Sequence, residues 1–366
     1  MKSISLKANK FALYTLLVVS LALFSCGSGN NNADSAKNAS SDNSTLLGAG
    51  STFVYPLFSK TFSEYNKITG VKVNYQSIGS GGGILQLINK TVDFGDSDAP
   101  LNAEQKSKAK AEILHIPICA GAVVITYNVP GLKDTLNLTP AVLSNIYLGK
   151  IKNWNDKEIA DINPKVQLPG TSIITVHRSD GSGTTNIFTS YLSKVNADWK
   201  SKVGEGTSIN WPVGLGGKGN EGVAGLVKQT PGGIGYVELA YAVQNKMAFA
   251  KLQNKAGNFI TPTVASTSAA GNIQIPEDGI VSLSDTDAPD GYPISGLTWA
   301  LIYKEQGYNN RAEDKAKKLV ELLWWTINDG QKYCEVLHYA PLSDSAVAVT
   351  EKILRSATYN GKPVLE

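Results

Sequence analysis

Residues 177–188, HRSDGSGTTNIF, set Arg178, Asp180 and an alternating run of glycines and hydroxyls directly before an apolar segment. Two chemistries are open to such a run. His177, Asp180 and Ser182 carry the side chains of a nucleophile, its base and an orienting acid. Arg178, Ser182, Gly183 and Thr184 carry those of an anion grip. Groups two or three residues apart on one turn rarely meet in triad geometry, and the G-x-S-x-G elbow is absent, so hydrolysis fits poorly. Gripping fits better, because a glycine-rich turn at a helix start turns unpaired amides toward an oxyanion, and arginine adds a charged fork. Asp180 is expected to pair with Arg178 and fix that fork. His115, His177 and His338 are scattered without metal-ligand spacing, so neither a metal nor a cofactor is expected.

The elements that must hold this turn recur along the chain. Ile173, Ile174 and Val176 predict a strand before it; Ile187, Phe188, Tyr191, Leu192 and Val195 predict the buried face of a helix after it. LLGAGSTFVYPLFSKTFSEYNKITG repeats the plan. A strand ends at Gly48 and Gly50, Val54, Leu57, Phe58, Phe62 and Tyr65 recur at helical spacing, Gly70 closes the helix, and Thr52 stands at or beside its N-cap. In VKVNYQSIGSGGGILQLINKTVDFGDSDAP, Val71, Val73 and Tyr75 alternate as a strand and a glycine run follows. Ile84, Leu85 and Ile88 then open a helix, and a further short strand ends at Asp98. Each loop brings backbone N–H groups, hydroxyls and the positive end of a helix to one point. A helix dipole contributes about 0.3 to 1 kcal/mol and a charge-assisted hydrogen bond about 1.5 to 3, so the bonds dominate and the dipoles orient. GSGGGI lacks the full G-x-G-x-x-G spacing and no G-x-x-x-x-G-K-[ST] occurs, which argues against a dinucleotide fold and a P-loop.

The termini and the charge set the context. Residues 1–25 have a basic start at Lys2, Lys7 and Lys10 and an apolar run from Phe11 to Phe24, too short to span a bilayer comfortably, and read as an export signal. LFSC followed by Gly27 resembles a bacterial lipobox, which implies cleavage before Cys26 and a lipid on its sulfur, tethering the protein to a membrane. Residues 26–45, polar and rich in Asn and Ser, read as a flexible tether. The signal's three lysines account for the whole net charge of +3, so the mature body is formally neutral, which argues against a nucleic-acid partner. The chain has three arginines, Arg178, Arg311 and Arg355, against 31 lysines, and only Arg178 sits in one of the loops. Cys119 and Cys334 are expected as two buried thiols, and Trp324 and Trp325 as core packing.

With these residues assembled, the sequence resembles the substrate-binding proteins of bacterial phosphate ABC transporters, the PstS family. The likeness runs through GAGSTF, VNYQSIGSGGG, VDFGDSDAPL, IYLGKIKNWND, RSDGSGTTNIFTSYLSKVN, WPVGLGGKGNEGVAGLVKQTPGGIGYVELAYA and YPISGLTWALIYK, in family order from about Leu47 to Tyr303. It implies an α/β, two-lobed periplasmic-binding-protein fold of type II, with two crossovers and the ligand in the cleft. The expected division is 46–122 for the first segment of lobe 1, 123–296 for lobe 2 and 297–366 for the return to lobe 1. The resemblance also implies that inorganic phosphate is held by Thr52, Phe53, Ser80, Asp98, Arg178, Ser182, Gly183 and Thr184, and that a monomer delivers it to an ABC-transporter permease with a cytoplasmic ATPase. An ionised Asp98 can only accept hydrogen bonds, so beside an anion it selects one that still carries a proton. An exported phosphoester enzyme and a receptor for another oxyanion are the alternatives. One departure matters: the family usually has a small residue where this chain has Asp96. If Asp96 points inward with Asp98, affinity falls or its pH dependence shifts; a bend there would turn it to solvent.

Overall fold

A computed structural model of the protein describes residues 45–365. The expected signal, the lipidation site Cys26 and the tether up to residue 44 lie outside those residues. Among the described residues, no helix is long and apolar enough to cross a membrane.

The elements that bear on function are strands β1 (Thr45–Gly50), β2 (Lys72–Ser77), β3 (Phe94–Ser97), β4 (Ile113–Asn128), β5 (Ile174–Arg178), β6 (Leu215–Gly217), β7 (Gly233–Glu238) and β8 (Ser295–Tyr303). Helices α1 (Tyr55–Thr69), α2 (Ser80–Ile88), α3 (Gly183–Val195) and α4 (Gly219–Gln229) follow β1, β2, β5 and β6, and α5 (Glu313–Ile327) and α6 (Asp344–Arg355) form the tail. The strands join in the order β2-β1-β3-β8-β4-β7-β5-β6, and the two-residue strand Ala248–Phe249 adds to β4.

The sheet has two halves, each with parallel strands feeding helices. β1 pairs in parallel with β2 and β3 in one half, β5 with β6 and β7 in the other. β4 belongs to both. Its residues from Ile113 to Ala122 run antiparallel to β8, and from Val123 to Asn128 antiparallel to β7. Its sequence, ILHIPICAGAVVITYN, is apolar and β-branched almost throughout, as a strand covered on both faces requires, and all but its end residues are buried. At the change of partner Gly121 leaves room for Phe53: a Cβ there would lie 2.5 Å from the Phe53 ring.

Burial secures the helices that flank the sheet. α1 buries Leu57, Phe58, Phe62 and Tyr65, with the Phe58 and Phe62 rings stacked at 4.5 Å. Each such side chain contributes roughly 1.5–3 kcal/mol. Gly70 ends α1 at φ 76, a left-handed position open to glycine without strain. In α2 the inward face is Ser80, Gly83, Ile84 and Leu87; Leu85, expected inside, is 59% exposed, because the three-four spacing places it opposite that face. The tail packs onto the first half. Asp93 accepts the Leu47 amide at 2.7 Å and pairs with Arg311 and Lys315, while Tyr339 donates to the Phe53 carbonyl at 2.6 Å. Trp324 and Trp325 are half-buried at the edge of this packing, under Arg355 and against Tyr65 respectively. Cys119 and Cys334 are buried free thiols.

Candidate functional site

α1, α2, α3 and α4 each begin a few residues beyond the end of their strands, and hydrogen bonds tie the four junctions into one cluster. Ser80 Oγ, at the first position of α2, accepts from the Gly183 amide at the first position of α3 (3.1 Å) and from the Asp98 amide (3.3 Å). The Gly81 amide donates to the Gly181 carbonyl at 2.9 Å. Thr52 Oγ1, ahead of α1, accepts from the Asn220 amide (3.1 Å) and from Asn220 Nδ2 (2.8 Å) at the start of α4. Asn220 Nδ2 also donates to Thr184 Oγ1 at 3.2 Å. Thr52, Phe53, Ser80, Asp98, Arg178, Ser182, Gly183 and Thr184 are all buried, and the structure brings them together from both halves of the sheet.

Two details differ from expectation. Thr52 is not at the N-cap of α1; Val54 is, because Pro56 sits in the first turn and Ser51 Oγ takes the Phe53 amide at 2.9 Å in a local turn. The Phe53 amide, expected to point at a ligand, is thus held by Ser51, as the Gly183 amide is held by Ser80. Gly183 must be glycine for another reason: a Cβ there would stand 2.6 Å from both the Asp98 Cβ and the Asp98 amide.

Arg178 is buried at the end of β5. Asp180 accepts from its Nε at 2.8 Å and its Nη2 at 2.6 Å, a two-bond fork that leaves Nη1 directed at Thr184 Oγ1, 3.5 Å away. Burial opposes the Arg178 charge, but the bonds and charge of Asp180 more than offset it and raise the guanidinium above its usual value. Burial likewise opposes the Asp180 anion, and Arg178 together with the Gly219 amide (3.1 Å) holds that carboxyl below the usual range. The residues of a hydrolase do not assemble. Ser182 Oγ caps α3 by accepting the Thr185 amide at 3.0 Å, and His177 stacks on Trp211 with ring centres 4.7 Å apart.

Two carboxylates, Asp96 on β3 and Asp98 just beyond its end, are the unusual part. Both reach Thr298 and both are buried, so Asp96 is not turned to solvent. Thr298 of β8 lies between them, its Oγ1 2.9 Å from Asp96 Oδ1 and 2.8 Å from Asp98 Oδ1. Burial pushes Asp98 up to about 6, against the stabilising effect of the Ser51 and Thr298 hydroxyls and Arg178. Burial, reinforced by the charge of Asp98, pushes Asp96 well above the ordinary range. The Ser51 and Thr184 hydroxyls face Asp98, yet neither closes a well-formed hydrogen bond on Oδ2, and Asp98 Oδ2 is a buried acceptor without a partner among the described residues. Asp96 Oδ2 is another. An orphaned buried carboxylate oxygen beside an arginine and four helix starts is suited to receive the proton of a small protonated oxyanion.

Sequence reasoning missed Asn220 and Thr298. Asn220 had a visible signal: LGGKGNEGVAGL is a fourth strand–glycine–helix junction, with Gly219 at φ 70. Thr298 had none, since SGLTWALIY reads as an apolar strand. Its place beside Asp96 and Asp98 comes from the antiparallel pairing of β8 with β3, in which Trp299 faces Ser97 and Ala300 faces Asp96.

Comparison with known proteins agrees with this architecture. Residues 35–323 match the model of the PBP superfamily domain. The chain is 43% identical over 358 residues to the phosphate-binding protein PstS of Xylella fastidiosa strain Temecula1, covering 93% of this chain and 97% of that one. It is 36% identical over 338 residues to the phosphate-binding protein PstS of Methanocaldococcus jannaschii, 87% of each. Among solved structures, a high affinity periplasmic phosphate-binding protein, PfluDING, bound with phosphate, shares the fold with a TM-score of 0.67 at 20% identity, over 84% of this chain and 93% of that one. An ABC-type phosphate transport receptor from Vibrio cholerae shares it with a TM-score of 0.52 at 18% identity, over 81% and 99%. With four strand–helix junctions meeting around one arginine and a pair of buried carboxylates, and with this degree of identity across nearly its whole length, the chain belongs to the PstS family of the PBP superfamily.

Proposed function

We propose that the protein binds inorganic phosphate in this cleft and delivers it to an ABC-transporter permease for import, without chemical change to the ligand. The observation that carries the reading is Asp98 Oδ2, a buried acceptor with no partner among the described residues, facing Arg178 and the starts of α2 and α3. Hydrogenphosphate supplies what each group lacks. Its oxygens are stronger acceptors than the hydroxyls that now hold the Phe53 and Gly183 amides, so those amides and the freed Ser51 and Ser80 hydroxyls turn to the ligand. Thr52, Ser182 and Thr184 add hydroxyls, Arg178 adds charge, and the ligand's own proton goes to Asp98. Sulfate carries no proton near neutral pH and would set two buried anions against each other; a site built on such a bond rejects an analogue lacking it by about 10⁴-fold or more.

In this reading residues 46–122 and 297–366 form one lobe and 123–296 the other, and phosphate favours the closed state by touching both. The chain works outside the cytoplasm as a monomer, anchored by a lipid on Cys26. Its role is binding and not catalysis, which the use of Ser182 as a helix cap and of His177 in a stacking contact supports.

The test is calorimetric titration of the mature protein, stripped of bound anion, with phosphate and then sulfate at neutral pH. Tight 1:1 phosphate binding that excess sulfate does not displace is expected. Absence of heat with phosphate, or equal binding of sulfate, would overturn the reading.

A further inference from the structure

Thr298 has a single hydroxyl proton, yet its Oγ1 is within hydrogen-bond distance of two carboxyl oxygens, Asp96 Oδ1 at 2.9 Å and Asp98 Oδ1 at 2.8 Å. One proton shared between two acceptors makes a weaker three-centre bond and not two full ones. If both acids were ionised, the two contacts would divide that one proton between two buried anions. The arrangement is fully satisfied only when one carboxyl is protonated and donates to Thr298 while Thr298 donates to the other. The surroundings decide which. Asp98 faces Arg178 and the hydroxyls of Ser51 and Thr184, all of which favour its anion. Among the described residues Asp96 has no cation beside it: its other oxygen has no partner there, and the titratable groups facing it are Asp98 just past the end of its strand, Tyr75 on β2 and Cys119 on β4. Tyr75 and Cys119 are both held neutral by burial. Glu238 on β7, which faces Asp98, has its own carboxyl pushed up by burial.

We propose that Asp96 is carried as the neutral acid and donates to Thr298 Oγ1, so that the Thr298 hydroxyl is turned toward Asp98 and Asp98 presents a single anionic oxygen to the ligand. Asp96 is then a positioning residue for ligand selection. It acts through Thr298 and makes the selecting bond sensitive to its own ionisation. This rests on the reading of the cleft as a phosphate site, and deepens it: the ligand's proton meets Asp98 Oδ2 because Oδ1 is already saturated from behind. Once Asp96 ionises, Thr298 is drawn between two anions and a third faces them, so binding weakens.

The experiment uses the mature protein and two readouts. Infrared difference spectroscopy at neutral pH, parent minus Asp96→Asn, is expected to show the C=O stretch of a protonated carboxyl that the variant lacks. Absence of the band, or its persistence in Asp96→Asn, would overturn the proposal. Phosphate affinity is then followed against pH for both proteins, and their ratio cancels the ligand's own titration. The parent is expected to lose affinity at least tenfold relative to Asp96→Asn on the alkaline side; a ratio constant with pH overturns the proposal. Thr298→Val is expected to bind at least tenfold more weakly than Asp96→Asn, and Thr298→Ser to recover most of that loss; equal loss in valine and serine variants would make Thr298 mere packing and count against the relay. If the parent fails to bind phosphate, the functional reading falls, and the infrared band alone still decides where the proton sits.

Discussion

Replacing Asp98 with asparagine in the anion-free protein should stabilise it, and the gain should depend on pH in a defined window. The carboxyl is buried and its ordinary value of 3.8 is raised to about 6, because the charged form has lost its water and regains only part of that loss from Ser51, Thr298 and Arg178. At about 1.4 kcal/mol per pH unit this amounts to about 3 kcal/mol that the folded form forgoes once the unfolded chain is ionised. The sign follows from the folded value lying above the unfolded one. Below about pH 4 both states hold the proton and nothing is lost; as pH rises from about 4 to about 6 the unfolded state sheds its proton first and stability falls; above that the deficit is constant. Asp98→Asn keeps the shape and removes the titration, so its advantage over the parent should grow by about 2.4 kcal/mol between pH 4 and pH 7. Urea unfolding of the two proteins, stripped of anion, at pH 4, 5, 6 and 7 measures it directly. A stability difference that is flat across those four values would refute the account of Asp98 as a charge held at a cost for the sake of a ligand.

Two further outcomes follow from the same geometry. Gly183→Ala should weaken phosphate binding at least tenfold and cost the protein about 1–3 kcal/mol of stability, because the new Cβ would stand 2.6 Å from the Asp98 Cβ and amide; calorimetry and urea unfolding together check it. Arg178→Lys should weaken phosphate binding by at least tenfold despite the retained charge, since an ammonium cannot hold the two-bond fork on Asp180 and still reach Thr184, and the same calorimetric titration reads it.

Much of the fold was legible because the relevant signals are local. The alternation of Val71, Val73 and Tyr75, the helical spacing from Leu57 to Tyr65 and the glycine at 70 depend on neighbours a few residues apart, and the structure has a strand, a helix and a left-handed cap at those places. The gathering of the loops followed from the repeated strand–glycine–helix plan, which also contains Asn220 in a fourth copy that was not singled out. Other features depend on residues far apart in sequence. Thr298 and Asp98 are 200 positions apart, and only the pairing of β8 with β3 makes them neighbours. The engagement of the Phe53 amide by Ser51 turned on where the first turn of α1 begins, which Pro56 and a serine hydroxyl settle to within two residues. Asp96 stood out in sequence as an acid in an unexpected place, but its protonation is a question only because a hydroxyl on another strand touches it.

The continuous strand β4 has a consequence for affinity as well as for shape. Its first ten residues belong to one half of the sheet and its last six to the other, so the two half-sites are joined by hydrogen-bonded backbone and not by a free linker. On the proposed reading, and in the language of coordination chemistry, the protein is a chelator whose two arms share a stiff spine. The entropy of bringing the arms within reach was spent when the chain folded, and each half meets the ligand at a high effective concentration once the other has it. Lengthening the join at Ala122 with a flexible insertion would leave every contacting residue intact and still dissolve the chelate.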